Sequence, residues 1–167
     1  TTRKGREKLM EKWNSGFAKL QNSGEYASIF RNWFVQELDK NEANSLVNAA
    51  KKARTFAYAP YSRFSVGAAV LAKSGKIYAG CNVENALLNL TTSAMKVALL
   101  KAVSEGDTDI RAVANVLDDG TLAAPTGGER QLLFEFGRGV LVLMQDGDGY
   151  TTRTISELFP FPFDMNR

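Results

Sequence analysis

The stretch Ser65–Gly80, "SVGAAVLAKSGKIYAG", sets the architecture. Two strand-like apolar runs meet around the polar quartet Lys73-Ser74-Gly75-Lys76, the pattern of a β-hairpin. Working outward, "YAPYSRF" (Tyr58–Phe64) reads as an irregular turn, because its proline and aromatics suit no regular element. Residues 42–56 before it read as a helix. After the hairpin, Leu90–Ser104 reads as a helix, with Thr91 or Thr92 placed to cap it and Met95 and Leu99 facing a core. "DIRAVANVL" (Asp109–Leu117) is a buried strand and Gly127–Phe136 a helix. "GVLVLMQ" (Gly139–Gln145) and "YTTRTI" (Tyr150–Ile155) are strands around the turn "DGDG", and Ser156 caps a short closing helix. The order α-β-β-α-β-α-β-β-α predicts an α/β fold with a mixed sheet of about five strands and helices on both faces.

The first forty residues stand apart. Leu9, Met10, Trp13, Phe17 and Leu20 recur at helical spacing, so residues 6–22 read as an amphipathic helix. "NSG" (Asn22–Gly24) ends it, and a second helix carries Tyr26, Ile29, Phe30, Trp33, Phe34 and Leu38 on one face. The expected organisation is a helical extension over 1–40 and a main domain over 41–167. The aromatic faces of the extension suit either packing on its own domain or docking of a partner.

Composition narrows the chemistry. The chain has 167 residues, 44% hydrophobic and 23% charged, which suits one domain with a sizeable core and an appendage. No apolar run approaches the roughly 20 residues of a membrane span, so no membrane partner is expected. No signal peptide is visible, and the first residue is Thr, which leaves a removed leader open. There is no histidine and one cysteine, Cys81. Ser-His-Asp and Cys-His mechanisms are therefore excluded within the chain, as are an internal disulfide and a multi-cysteine metal site. A net charge of +3 permits nucleic-acid contact without arguing for it. "RKGREK" near the N-terminus and "KKAR" at 51–54 suit either a solvated helix face or phosphate contact. "TGGE" lacks the spacing and lysine of a phosphate loop. "DGDGY" lacks the length and the later Glu of a calcium loop, and reads as a hairpin turn.

The segments "AYAPYSRFSVGAAVLAKSGKIYAGCNVENA", "KAVSEGDTDIRAV", "GGERQLLFEFG" and "ISELFPFPF" carry a resemblance over roughly two-thirds of the chain, in order and spacing. They resemble the small zinc-dependent cytidine deaminases. The resemblance implies a three-layer α-β-α sandwich. In that family a His or Cys before x-Glu, together with Pro-Cys-x-x-Cys, holds zinc. The Glu shuttles protons, and metal-bound hydroxide attacks C4 of cytosine. Here the family's Cys-Ala-Glu falls on Ser93-Ala94-Met95, and its two later cysteines fall on Thr126 and Glu129. Hydroxyls are poor zinc ligands, one carboxylate falls short of three ligands, and Met95 carries no proton.

On that basis the chain reads as a degenerate, catalytically inactive homologue with no metal and no cofactor. As a pseudoenzyme it would serve as a structural or scaffolding subunit. Its expected partners are protein: copies of itself, homologous subunits or a larger assembly, including a mitochondrial or other ribonucleoprotein, with RNA among the partners this admits. The expected compartment is intracellular, mitochondrial or cytoplasmic. Two rivals stay open. One is a nucleoside-binding regulator using Phe64, Asn82 and Glu84, which match family residues at the pyrimidine pocket and ribose. The other is an enzyme with a rewired site using Glu129 as base beside Thr126 or Ser93. "NVENA" (Asn82–Ala86) equally suits a purely structural loop. Arg130, whose family counterpart offsets the thiolates, is expected to pair with Glu129 or Glu84.

Overall fold

The computed structural model describes Ser15 and residues 38–165. The chain divides into two units, Thr1–Val35 and Gln36–Arg167. Apart from Ser15 and Leu38, the residues of the helices expected at 6–22 and beyond, with Trp13 and Trp33, lie outside the described residues. The second unit holds the α/β domain.

Helix α1 (Lys40–Arg54) starts at a capping box: Asp39 accepts from the Asn41 and Glu42 amides, and Glu42 reaches back to the Asp39 amide. It buries Ala43, Leu46, Val47, Ala50 and Ala53. Strands β1 (Val66–Ala72) and β2 (Ile77–Cys81) form the antiparallel hairpin read from the sequence. Gly75 makes its turn with a φ of 88°, where a side chain would be strained. A 3₁₀ turn, Leu88–Leu90, leads to α2 (Ala94–Ser104). Then come β3 (Ile110–Leu117), α3 (Gly127–Phe134), β4 (Leu141–Asp146), β5 (Gly149–Thr154) and the short α4 (Ile155–Leu158).

The five strands lie in the order β2-β1-β3-β4-β5. All pairs are antiparallel except β3 and β4, where Ala112 lies opposite Leu141 and Asn115 opposite Met144. Alternation along the strands gives the sheet two apolar faces. Ala68, Val70, Val113, Val142 and Met144 join Met95, Ala98, Leu99 and Leu133 in one buried cluster. On the other face Gly67 meets α1 so closely that a Cβ there would stand 2.1 Å from the Ala50 carbonyl oxygen. Gly80 plays the same part under α2, with the Ala98 amide nitrogen 2.6 Å from the place of its missing Cβ. These helices against both faces are the three-layer α/β arrangement expected.

Two helix caps differ from the sequence reading. Helix α2 begins at Ala94, not Leu90, because Thr92 pairs with Val83 through both amide and carbonyl, each at 2.9 Å. Its cap is Ser93. Helix α4 is capped by Thr154, whose side chain accepts from the Glu157 amide, while Ser156 lies inside the helix. Among the described residues no helix is long and apolar enough to cross a membrane.

Candidate functional site

Helices α2 and α3 both begin at the same cleft, of about 310 Å³, lined by Thr91, Ser93, Lys96, Thr126, Gly128, Glu129 and Leu132. Each N-terminus is capped by a hydroxyl. Ser93 Oγ accepts from the Lys96 amide at 3.4 Å. Thr126 Oγ1 accepts from the Glu129 amide at 3.3 Å and donates to Glu129 Oε2 at 2.9 Å, while the Thr126 amide donates to the same oxygen at 2.8 Å. This is a complete capping box, and it sets the Glu129 carboxylate, 8% exposed, at the positive end of α3. The structure thus brings Ser93, Thr126 and Glu129 together. Met95, singled out with them from the sequence, is not part of the lining. It is fully buried in the apolar cluster beneath α2.

Phe64, Asn82 and Glu84 form a second group, on the loop that links α1 to β1 and the segment just after β2. Asn82 is buried, with Oδ1 accepting from the Val66 amide at 2.9 Å and Nδ2 donating to the Phe64 carbonyl at 2.8 Å. Glu84 Oε2 accepts from the amides of Tyr61 at 2.8 Å and Ser62 at 3.2 Å. The Ser62 side chain and these amides hold the Glu84 carboxyl below the ordinary carboxylate range, against the opposing effect of burial. The Phe64 ring is exposed. The two groups are connected through the Val83–Thr92 bridge.

Arg130 departs from the expected pairing. Its Nη1 donates to the Leu158 carbonyl at 2.9 Å and its guanidinium lies 5.8 Å from the Phe159 ring centre. Among the described residues no carboxylate pairs with it. The reason is local: Thr126 holds Glu129 Oε2, and Glu84 is engaged by the Tyr61–Ser62 backbone. Sequence reasoning also missed Thr91, Lys96, Gly128 and Leu132 as cleft residues. Lys96 and Gly128 lie within three residues of the caps Ser93 and Thr126, so recognising the caps would have found them.

The cleft does not fit a zinc ion bound in the family manner. Its side-chain oxygens comprise three neutral hydroxyls, Thr91 engaged by the Asn85 amide and Ser93 and Thr126 engaged as helix caps, and one carboxylate, against the three anionic or imidazole donors zinc takes. No group of three or more His, Cys, Asp or Glu able to hold a metal occurs among the described residues.

Comparison with known proteins places the chain. Residues 6–121 match the family described as the cytidine and deoxycytidylate deaminase zinc-binding region. The chain is 42% identical over 125 residues to the cytidine deaminase of Sporosarcina psychrophila, covering 73% of this chain and 91% of that one. It is 43% identical over 127 residues to that of Halalkalibacterium halodurans, covering 72% and 96%. Among solved structures it is similar to the cytidine deaminase of Burkholderia pseudomallei, with a TM-score of 0.68 and 37% identity over 72% of this chain and 98% of that one.

These relatives correct the reading of the chain as an inactive pseudoenzyme serving as a scaffold or ribonucleoprotein subunit. Likeness at this level to proteins named for an activity points to an enzyme of the deaminase type. The inactive reading rested on four side chains, three of which act as, or pair with, helix caps at the cleft. The fold and the cleft remain around them. The chain belongs to the cytidine and deoxycytidylate deaminase family.

Proposed function

We propose that the chain acts on a cytosine nucleoside, with the base entering the cleft between the N-termini of α2 and α3, and that its reaction is hydrolytic deamination. The observation that carries this reading is that cleft, in a chain 42% identical to a protein named cytidine deaminase. Within the family the chain is a divergent member, with Ser93, Thr126 and Glu129 at the thiolate positions and Met95 at the place of the proton-carrying Glu. The reaction adds water at C4, breaks the C4–N bond and releases ammonia, leaving a carbonyl at C4. Of the cleft side chains, the Glu129 carboxylate is the one suited to take a proton from the water and return it to the departing nitrogen. Two donors on Oε2 hold it in place while it does so.

The test is conversion of cytidine to uridine, followed by absorbance and ammonia release on chelator-treated protein, beside calorimetric titration with cytidine. Turnover that Glu129→Gln lowers by about 10²-fold or more, with binding retained, is the expected result. Glutamine still completes a capping box, so the helix stays intact. Binding without turnover would overturn the reaction, and absence of both would overturn the substrate class.

A further inference from the structure

Addition of water at C4 leaves one requirement that Glu129 does not meet. As the oxygen bonds C4, the C4–N3 double bond opens and N3 takes its electron pair. That nitrogen needs a proton, while the proton taken by Glu129 is committed to the departing amine. A second proton donor must therefore stand in the cleft. Of the polar side chains lining it, the Thr91 hydroxyl accepts from the Asn85 amide at 3.2 Å, and the Thr126 hydroxyl donates to Glu129 Oε2 at 2.9 Å. Ser93 Oγ caps α2, and a serine hydroxyl is outside the usual set of side chains that transfer protons in catalysis. Lys96 remains. It lies in the first turn of α2, three residues after Ser93, whose Oγ accepts from its amide at 3.4 Å. Its side chain is exposed, and its ammonium has no hydrogen bond or ion pair with a described residue. The other two cations of α2 and α3 are engaged elsewhere. Lys101 Nζ donates to the Ala79 carbonyl at 2.8 Å, and Arg130 Nη1 to the Leu158 carbonyl at 2.9 Å.

On the deamination reading, which this presupposes, we propose that Lys96 is a second catalytic residue, whose ammonium hydrogen-bonds N3 of the cytosine and gives it a proton. The protons then balance between two side chains. Glu129 takes one from the water as the oxygen adds to C4. Lys96 gives one to N3 and becomes a neutral amine. Glu129 passes its proton to the exocyclic nitrogen, the C4–N bond breaks, and its electron pair leaves with ammonia. The hydroxyl on C4 loses its proton to the Lys96 amine as the carbonyl forms, which restores the ammonium. One water is consumed, one ammonia is released, and both side chains return to their starting states. A carboxylate and an ammonium across one cleft suit this division, because each begins in the protonation state its first step needs.

The test uses the full chain with cytidine and with 3-deazacytidine, in which carbon replaces N3, read by calorimetry and by turnover. The unsubstituted chain should bind cytidine about 10-fold or more tightly than the deaza compound, the worth of a hydrogen bond from a charged donor. Lys96→Met should abolish that preference and lower kcat for cytidine by about 10²-fold or more. Lys96→Arg keeps the charge and the hydrogen bond but has no proton to release, so it should keep the preference without restoring kcat. Both variants exchange an exposed lysine for another good helix former, so α2 stays intact. Equal binding of the two compounds by the unsubstituted chain would overturn the N3 contact. Turnover restored by Lys96→Arg would overturn the proton transfer. Cytidine converted equally by the unsubstituted and Lys96→Met chains would remove Lys96 from the reaction and leave the deamination standing. Conversion by neither would remove the deamination, and the proton transfer with it.

Discussion

Met95 shows how one side chain changes meaning with its surroundings. The family resemblance set it where a deaminase would carry its proton shuttle. By environment it is an apolar group with no exposure, packed with Ala98, Leu99 and Val70. Truncation to Ala should cost about 2–5 kcal/mol in a urea titration, and Met95→Leu less than about 1.5 kcal/mol, since thioether and isobutyl groups fill similar volumes. Equal costs would mean the site is not close-packed. Glu84 offers a pH signature. Its carboxyl is held below the ordinary range by donors that favour the ionised form, so the contribution it makes is full above the unfolded value of about 4.3. That contribution fades as pH falls through the lowered folded value. The amide resonances of Tyr61 and Ser62 should therefore titrate with a midpoint below about 4.3. A midpoint at or above it would contradict the hydrogen bonds. Residue identity made Asn82 and Glu84 visible as candidates. It could not show that their polar atoms are engaged by the loop backbone, because partners so distant in sequence are set by folding.

At the scale of elements, periodicity did most of the work. The hairpin and the alternation of helices and strands follow from apolar runs whose period the eye can read, while the parallel β3–β4 pairing is seen only in the structure. Helix starts were harder. Three hydroxyl residues in a row, Thr91, Thr92 and Ser93, each have the chemistry of a cap, and only the Val83–Thr92 pairing selects the third. The α3 cap has a sharper signal, since Thr126 and Glu129 have the spacing of a capping box. Thr126→Ala should cost about 1 kcal/mol by chemical denaturation, and Thr126→Ser much less. The close approach of helix to sheet is also testable. A Cβ at Gly80 would stand 2.6 Å from the Ala98 amide nitrogen and 2.8 Å from the Ala94 carbonyl oxygen, both backbone atoms that cannot swing away. Gly80→Ala should force β2 and α2 apart and cost about 1–3 kcal/mol, seen as a lowered Tm.

For the whole molecule, the lesson is about which level carries function. The resemblance, read at Ser93, Met95, Thr126 and Glu129, invited the conclusion that the chain had lost its activity. The likeness to named deaminases runs over most of the chain and corrects that conclusion. Side-chain identities at a site state which chemistry is available, while the shape that admits a substrate is spread through elements that those residues merely cap. The same distribution bears on where the domain begins. The second unit starts at Gln36, before α1, and two features just inside that boundary tie α1 to the sheet. Asp39 caps the helix, and Glu42 grips Arg111 of β3 with both carboxylate oxygens, at 2.6 and 3.1 Å. A fragment of residues 36–167 keeps both and should unfold in one transition. A fragment of residues 43–167 keeps the apolar face of Leu46, Val47 and Ala50 but loses the cap and the pair. Loss of the cap alone removes about 1 kcal/mol, so its Tm should fall by roughly 3–8 °C relative to the longer fragment. Arg111→Met in the longer fragment should then separate the two effects. It removes the ion pair and leaves the cap, so its Tm should fall between those of the two fragments. Coincident transitions for all three would mean that α1 is held by its apolar face alone.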